Sequence, residues 1–146
     1  MDRRTMLAGM GAAVLVGVTS AGADEDMANM HHHEGMTGPK ALIDTSAHCV
    51  VTGQACLNHC LMLLGDGDTS MADCARSVNE MLAICGALQA LAAQNAPALP
   101  KLAAVAADTC KQCEDACRKH EKKHQVCKDC ADACADCLKE CKKIAA

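Results

Sequence analysis

The sequence contains no phenylalanine, tyrosine or tryptophan. Leucine, isoleucine and valine are also few. Only 19 of them follow residue 23, about 15% of that part of the chain, where a globular core usually needs roughly 20%. Aromatic and branched aliphatic side chains are therefore too few to fill a core alone, and cysteine and alanine, or a ligand, must fill the rest. Basic residues are outnumbered by acidic ones, 14 to 18, so the positive charge that nucleic-acid binding requires is missing and no nucleic acid is expected as a partner.

Thirteen cysteines are present instead, and their spacing is helical. In the C-terminal part of the chain most neighbouring cysteines are three or four residues apart. At about 100° per residue, these gaps place the thiols on one face of a helix, while lysine, aspartate and glutamate fill the other faces. The pattern predicts helices with a buried stripe of sulfur, formed by Cys110, Cys113, Cys117, Cys127, Cys130, Cys134, Cys137 and Cys141.

Two earlier segments repeat this spacing. Cys49, Cys56 and Cys60 fall within roughly 40° of one another on a helix. In the following segment Met81 lies on the same face as the two cysteines, where packing is its more common role and metal binding the alternative. The face of this second segment consists of Cys74, Val78, Met81, Cys85, Leu88 and Ala92.

The breaks between these segments predict an all-α domain over residues 39–146. Pro39 suits the first turn of a helix ending near Leu64, and a second helix begins near Thr69 or Ser70, with Asp73 as its capping-box acid, and runs to Ala93. Residues 95–100 form the next break. A turn at residues 119–123 then gives an antiparallel four-helix bundle with cysteines lining the core. The alternative is one long helix over residues 99–144.

The N-terminus predicts export. Arg3-Arg4, an apolar run over residues 7–18 and an A-x-A site at residues 21–23 are typical of a signal over residues 1–23. The paired arginines favour the twin-arginine route to the periplasm, with a general secretory signal as the alternative. Residues 24–38 are predicted to be a flexible tail rich in methionine and histidine, serving either as a linker or as a soft-metal arm.

Exported cysteine-rich chains are often disulfide scaffolds, and a disulfide-stabilised or thiol-redox helical protein of the periplasm is the alternative hypothesis. The odd cysteine count and the few turns argue against it. Neighbours at i,i+4 on a helix hold their Cβ atoms about 5–6 Å apart, whereas a disulfide requires roughly 3.5–4.5 Å. Thiols in this arrangement suit a bridging metal better than a disulfide.

Soft thiolates in a dry interior select Cu(I), zinc or iron–sulfur clusters. Structural zinc takes four ligands per ion and usually joins loops, and the ferredoxin and c-type haem cysteine motifs are absent. Monovalent copper accepts two or three thiolates, each of which bridges two ions, so the pattern favours multiple Cu(I) ions per chain. No Ser-His-Asp or paired-carboxylate constellation accompanies the cysteines, and the protein is not expected to be an enzyme.

With its cysteine trios, its C-terminal ladder and its N-terminal signal, the chain resembles an exported member of the bacterial copper storage protein family. The resemblance implies a homotetramer of four-helix bundles filled with Cu(I). It also implies delivery of copper to an enzyme such as methane monooxygenase. The cysteines expected to bind copper are Cys49, Cys56, Cys60, Cys74, Cys85, Cys110, Cys113, Cys117, Cys127, Cys130, Cys134, Cys137 and Cys141.

An up-down-up-down bundle has two unlike ends. One gathers the end of the first helix, the start of the second and the junction of the third and fourth. It is predicted to be the copper entrance, lined by His59, Met71 and His120, with His124 and with Met62, which points further from the cysteine stripe. The alternative is that these are polar residues at a solvated helix end. The resemblance implies a methionine- and histidine-lined opening at this end. The other end is expected to be packed and closed by Leu42, Ile43, Leu88, Leu91, Leu99, Leu102 and Ile144.

Overall fold

The computed structural model describes residues 38–145, which form four α-helices and no strand. This confirms the predicted all-α bundle. The predictions for residues 1–23, and for all but the last residue of the tail at 24–38, lie outside the described residues. The helices are α1 (Lys40–Gly65), α2 (Ala72–Ala93), α3 (Leu99–Arg118) and α4 (Gln125–Ile144).

Helix α1 begins and ends where the sequence predicts. The carbonyl oxygen of Pro39 accepts hydrogen bonds from the backbone N–H groups of Leu42 and Ile43 at 2.9 and 3.1 Å. A proline at this point costs no helical hydrogen bond, because the first N–H groups of a helix have no partner inside it. At the other end, Gly67 adopts a φ of 93°, which a residue with a side chain rarely adopts, and the chain turns there.

The predicted start of α2 was one turn too early. Thr69–Met71 form a short 3-10 turn, and the α-helix begins at Ala72. The capping acid is Asp68, whose carboxylate accepts hydrogen bonds from the backbone N–H and the hydroxyl of Ser70 at 3.1 and 2.6 Å. Asp73 instead lies 3.7 Å from Arg76 in an exposed ion pair. Asp68 lies two residues before Ser70 and accepts the hydrogen bond of its free backbone N–H within a tight turn. Asp73 therefore has no capping role.

Helices α3 and α4 are separate, which rules out the single long helix. The chain turns after Arg118, and the N–H groups of Lys123 and His124 both donate to the carbonyl of His120 at 3.0 Å. The turn contains no proline or glycine. Its anchor is the Arg118 guanidinium, which donates to Glu121 within the turn at 2.9 Å and to Asp132 on α4 at 2.7 Å.

The four helices form a ring in which each contacts two neighbours. The packed pairs are α1 with α2, α2 with α3, α3 with α4, and α4 with α1. Within the described residues, the diagonal helices bring no Cα atoms within 8 Å of each other. Short connections make successive helices antiparallel, so the ring surrounds one central axis.

The end of the bundle opposite the predicted entrance, here called the leucine end, is packed beneath its surface. Leu42, Leu88 and Leu99 are buried there, and Ile43, Leu91, Leu102 and Ile144 pack partly buried around the core. The expectation of a fully closed surface needs correction. A mainly apolar cavity of about 420 Å³ lies at this end, and its lining consists of Pro39, Asn95, Ala96, Pro97, Leu99, Pro100 and Ile144.

Candidate metal centre

All thirteen cysteine side chains point into the bundle, and each is completely buried. Each is a free thiol in this structure. This confirms the buried stripes of sulfur that the helical spacing predicted. The stripes of the four helices meet along one axis. We call this set the sulfur column.

One level of the sulfur column takes one cysteine from each helix. The Sγ atoms of Cys49 (α1), Cys85 (α2), Cys110 (α3) and Cys137 (α4) all lie within 4.8 Å of one another. Cys85 and Cys110 are 3.7 Å apart. We call these four residues the four-helix level.

Nearer the predicted entrance, the thiols form overlapping groups. Cys56 belongs to two of these groups, and Cys130 also belongs to two, so these residues join the groups into one continuous chain of sulfur. Neighbouring Sγ atoms in this region are 3.6 to 4.0 Å apart. The groups are Cys56 with Cys60, Cys74 and Cys127; Cys56 with Cys117 and Cys130; and Cys113 with Cys130 and Cys134.

Cys141 is the one cysteine outside these groups. Its Sγ atom lies 3.8 Å from that of Cys137, one helical turn earlier on α4. It therefore extends the sulfur column beyond the four-helix level, toward the leucine end.

The buried thiols differ in acidity because they share protons. Hydrogen bonding to Cys134 and to other neighbours lowers the pKa of Cys110 to about 5. The hydrogen bond with Cys110 in turn raises the pKa of Cys49 and of Cys134, and burial raises both further. Cys130 accepts hydrogen bonds from several thiols, foremost Cys113, and its pKa lies far below the ordinary value. A soft cation that enters the column replaces these shared protons.

Sulfur is the only side-chain ligand type in the described core. The two buried polar side chains, Ser46 and Thr109, each donate to a carbonyl of their own helix, at 2.7 and 3.0 Å. Residues 38–145 bury no carboxylate or side-chain amide that could bind calcium or magnesium, which require oxygen ligands. The interior suits soft metal ions.

The residues predicted to line the entrance do gather at one end of the bundle. His59 on α1 and His124 before α4 are joined by a hydrogen bond of 2.9 Å between Nε2 and Nδ1. The rings of His120 and His124 have centroids 6.5 Å apart. Met71 is completely buried, whereas Met62 is 62% exposed and points away from the axis. We call His59, Met71, His120 and His124 the mouth.

The position of Asp68 did not emerge from the sequence. Asp68 lies near the mouth, where hydrogen bonds from Ser70 lower the pKa of its carboxyl and the charges of His124 and His120 lower it further. Its sequence context, Gly-Asp-Gly-Asp, indicated only a helix stop.

Met81 is fully buried and packs against Gly53. A Cβ atom at position 53 would come within 2.6 Å of the methyl carbon of Met81, so the methionine occupies the space that the glycine leaves free.

The sequence matches the family model described as copper storage protein over residues 36–146. No curated protein is similar enough in sequence to match. Among solved structures, the apo form of copper storage protein 3 from Bacillus subtilis is 29% identical, with 73% of this chain and 98% of that chain covered and a TM-score of 0.64. The Cu(I)-bound copper storage protein BsCsp3 is 27% identical, with coverage of 73% and 97% and a TM-score of 0.65.

A third structure supports the fold alone, because its sequence identity is 22%. It is the copper storage protein Ccsp from Streptomyces lividans, loaded with 10 copper equivalents, and it covers 78% of this chain and 92% of its own with a TM-score of 0.67. The family model spans well over half of the sequence, including every cysteine and the whole described bundle. The chain belongs to the copper storage protein family.

Proposed function

We propose that the protein stores many Cu(I) ions inside its bundle and releases them to copper enzymes, without catalysing a reaction itself. The sulfur column carries this proposal. Thirteen buried thiols stand along one axis, and the described core buries no carboxylate, amide or imidazole with them. A structural relative, BsCsp3, was determined with Cu(I) bound, which supports copper as the cargo.

Monovalent copper suits this arrangement because thiolates bind it strongly and bridge adjacent ions. The sulfur separations of 3.6 to 4.0 Å allow neighbouring thiolates to share an ion with small side-chain rotations. Anaerobic titration with Cu(I) against a competing chelator tests the proposal. A protein isolated with its thiols paired as disulfides would support the alternative of a disulfide-stabilised or thiol-redox protein.

We further propose that storage takes place in the periplasm. The twin-arginine motif and the A-x-A site at residues 21–23 support export. Because the twin-arginine route carries folded proteins, the thiols would be buried before they meet an oxidising compartment. The recipients would then be exported or membrane enzymes that use copper, of which methane monooxygenase is a candidate.

Copper is proposed to enter through the mouth. Imidazole and thioether groups bind Cu(I) less tightly than thiolate does, so they pass an ion inward without trapping it. The His59–His124 hydrogen bond joins α1 to the residue that precedes α4. His59 is next to Cys60 in the sequence, and His124 lies three residues before Cys127. At the leucine end, buried aliphatic side chains offer no ligand to an entering ion.

Replacing His59 and His124 together by alanine should slow Cu(I) uptake and removal several-fold and leave the final capacity almost unchanged, because every thiol remains. Stopped-flow measurement of Cu(I) transfer from a chelator gives the rate. The matched control is His48→Ala, which removes an exposed histidine from the same helix away from the mouth. Unchanged rates in the double variant would place the entrance elsewhere.

A homotetramer is also proposed, and an exposed apolar face on α1 supports it. Val51, Leu61 and Met62 are 66%, 55% and 62% exposed on this helix. Helix α1 is long enough and apolar enough to cross a membrane, by length and composition only. Only 22% of its most apolar 18-residue window is buried inside the bundle, so most of that window lies at the surface. Large exposed apolar patches mark interaction surfaces, and a second copy of the bundle would cover this one.

The substitution Val51→Glu should dissociate the assembly, because a charge would be buried at the contact. Size-exclusion chromatography with light scattering measures the mass. The control is Val105→Glu on α3, which places the same charge at another exposed valine, 50% accessible, outside the α1 face. A tetramer that survives Val51→Glu but not Val105→Glu would assign the interface to α3.

A further inference from the structure

The four-helix level differs from the rest of the sulfur column in one respect. Its members, Cys49, Cys85, Cys110 and Cys137, belong to no other group of metal-ligating side chains in the described residues. Every other group shares Cys56 or Cys130 with a second group. Shared sulfurs favour bridged, polynuclear metal binding, whereas four sulfurs that form one complete ligand set by themselves favour a single ion. Cys141, 3.8 Å from Cys137, is a neighbour that lies outside this set.

The geometry of the four-helix level is close to that of a tetrahedral tetrathiolate. With Zn–S bonds of about 2.3 Å, the edge of such a tetrahedron is roughly 3.8 Å. The Sγ atoms of Cys85 and Cys110 are already 3.7 Å apart, and all six pairs lie within 4.8 Å. Small rotamer adjustments would close the site around one ion.

The contributions of the four helices also distinguish this level from the other four-sulfur group. Cys56, Cys60, Cys74 and Cys127 include two residues from α1 and none from α3. The four-helix level takes one ligand from every helix. A single ion there would join all four helices at one height of the bundle, as a structural zinc site joins the segments that supply its ligands.

We propose that the four-helix level is a mononuclear site for one divalent ion of the zinc type, selective for zinc over harder cations, which the apo bundle holds before copper loads. Binding is an exchange without oxidation or reduction. Four S–Zn bonds form, the S–H bonds of those cysteines that are still protonated break, and up to four protons pass to solvent. The thiol of Cys49, which donates to the carbonyl of Ala133 at 3.1 Å, gives up that hydrogen bond.

Cu(I) should displace the zinc ion from the four-helix level. Thiolate sites hold copper more tightly than zinc, and Cu(I) gains further from bridging to the neighbouring sulfurs, such as Cys141 at 3.8 Å from Cys137. Loading with copper would then release one equivalent of zinc per chain. The zinc-bound form would keep the four helices joined until copper arrives.

Cobalt titration tests the site, because Co²⁺ in a tetrahedral thiolate environment absorbs strongly in the visible range. The apo-protein should bind one tight equivalent of Co²⁺ with that spectrum, and one equivalent of Zn²⁺ should bleach it. Cys85→Ser should weaken this binding at least tenfold. Cys74→Ser, which removes the other α2 cysteine and belongs to the second four-sulfur group, should retain it.

Far-UV circular dichroism checks that each variant folds, and Cys110→Ser replaces Cys85→Ser if the latter does not. The absence of a tetrahedral thiolate spectrum would overturn the proposal. So would loss of the spectrum in Cys74→Ser but not in Cys85→Ser, or binding of several Co²⁺ ions with equal affinity. Copper capacity is measured separately, so failure of the zinc site leaves the storage proposal standing.

Discussion

Anaerobic titration of the apo-protein with Cu(I) should saturate at on the order of thirteen ions per chain, about one for each cysteine. The reason is the continuity of the sulfur column. Cys56 and Cys130 each belong to two groups, so the entrance half of the column is one connected chain and not a set of separate sites. When each thiolate bridges two ions, the number of ions approaches the number of sulfurs.

The shared cysteines make this prediction specific. Replacing Cys56 and Cys130 together by serine should remove more than two ions, because each substitution interrupts two groups. The matched control is Cys49→Ser with Cys141→Ser, which also removes two thiols but touches one group only. Equal losses in the two variants would show that the ions bind independently. Saturation of the unmodified protein at three or four ions would show isolated four-sulfur sites and contradict the prediction.

Periodicity was enough to predict the helices and their buried faces. Gaps of three and four fix which side of a helix a cysteine occupies, and all thirteen lie on the inner side. Periodicity says nothing about how far one helix is shifted along its neighbour. That shift decides that Cys74 faces Cys117 at 3.6 Å, and that Cys85 faces Cys110. The levels of the column therefore required the structure.

The connections were less predictable than the helices, because their conformations depend on contacts distant in sequence. The turn after α3 has none of the residues that usually stop a helix, and its anchor is Arg118, which binds Asp132 fourteen residues later. Helix α2 begins later than predicted because Asp68 accepts a hydrogen bond from Ser70 within the preceding turn. The gathering of histidines at the mouth followed from antiparallel topology alone. The hydrogen bond between His59 and His124 did not.

Copper loading should raise the melting temperature of the protein by about 15 °C or more. In the part of the chain that the structure describes, five residues larger than cysteine are fully buried in the apo core: Leu42, Met71, Val78, Met81 and Leu88. Cysteine and alanine fill the rest, and each buries little apolar surface, so the hydrophobic contribution to stability is small. Ligand binding to the native state adds RT ln(1 + [L]/Kd), about 4 kcal/mol for one site at a thousandfold excess over Kd.

For a domain of this size, 4 kcal/mol corresponds to roughly 15 °C in melting temperature, and further ions add to it. The apo-protein should still fold, because a neutral thiol packs as a small hydrophobic group. In the described residues no buried side-chain nitrogen or oxygen atom lacks a hydrogen-bond partner, so copper is not needed to satisfy polar groups.

Thermal unfolding followed by far-UV circular dichroism measures the effect on the apo and copper-loaded forms. The variant with serine at positions 56 and 130 is the control. Its apo form should melt below the unmodified apo-protein, since each serine buries a hydroxyl group in place of an apolar thiol. From that lower starting point, copper should raise its melting temperature by fewer degrees than it does for the unmodified protein. The difference arises because the interrupted column ties fewer helices together, given that Cys56 and Cys130 join groups drawn from all four. Identical melting temperatures for the apo and loaded forms of the unmodified protein would show that copper binds without cross-linking the helices.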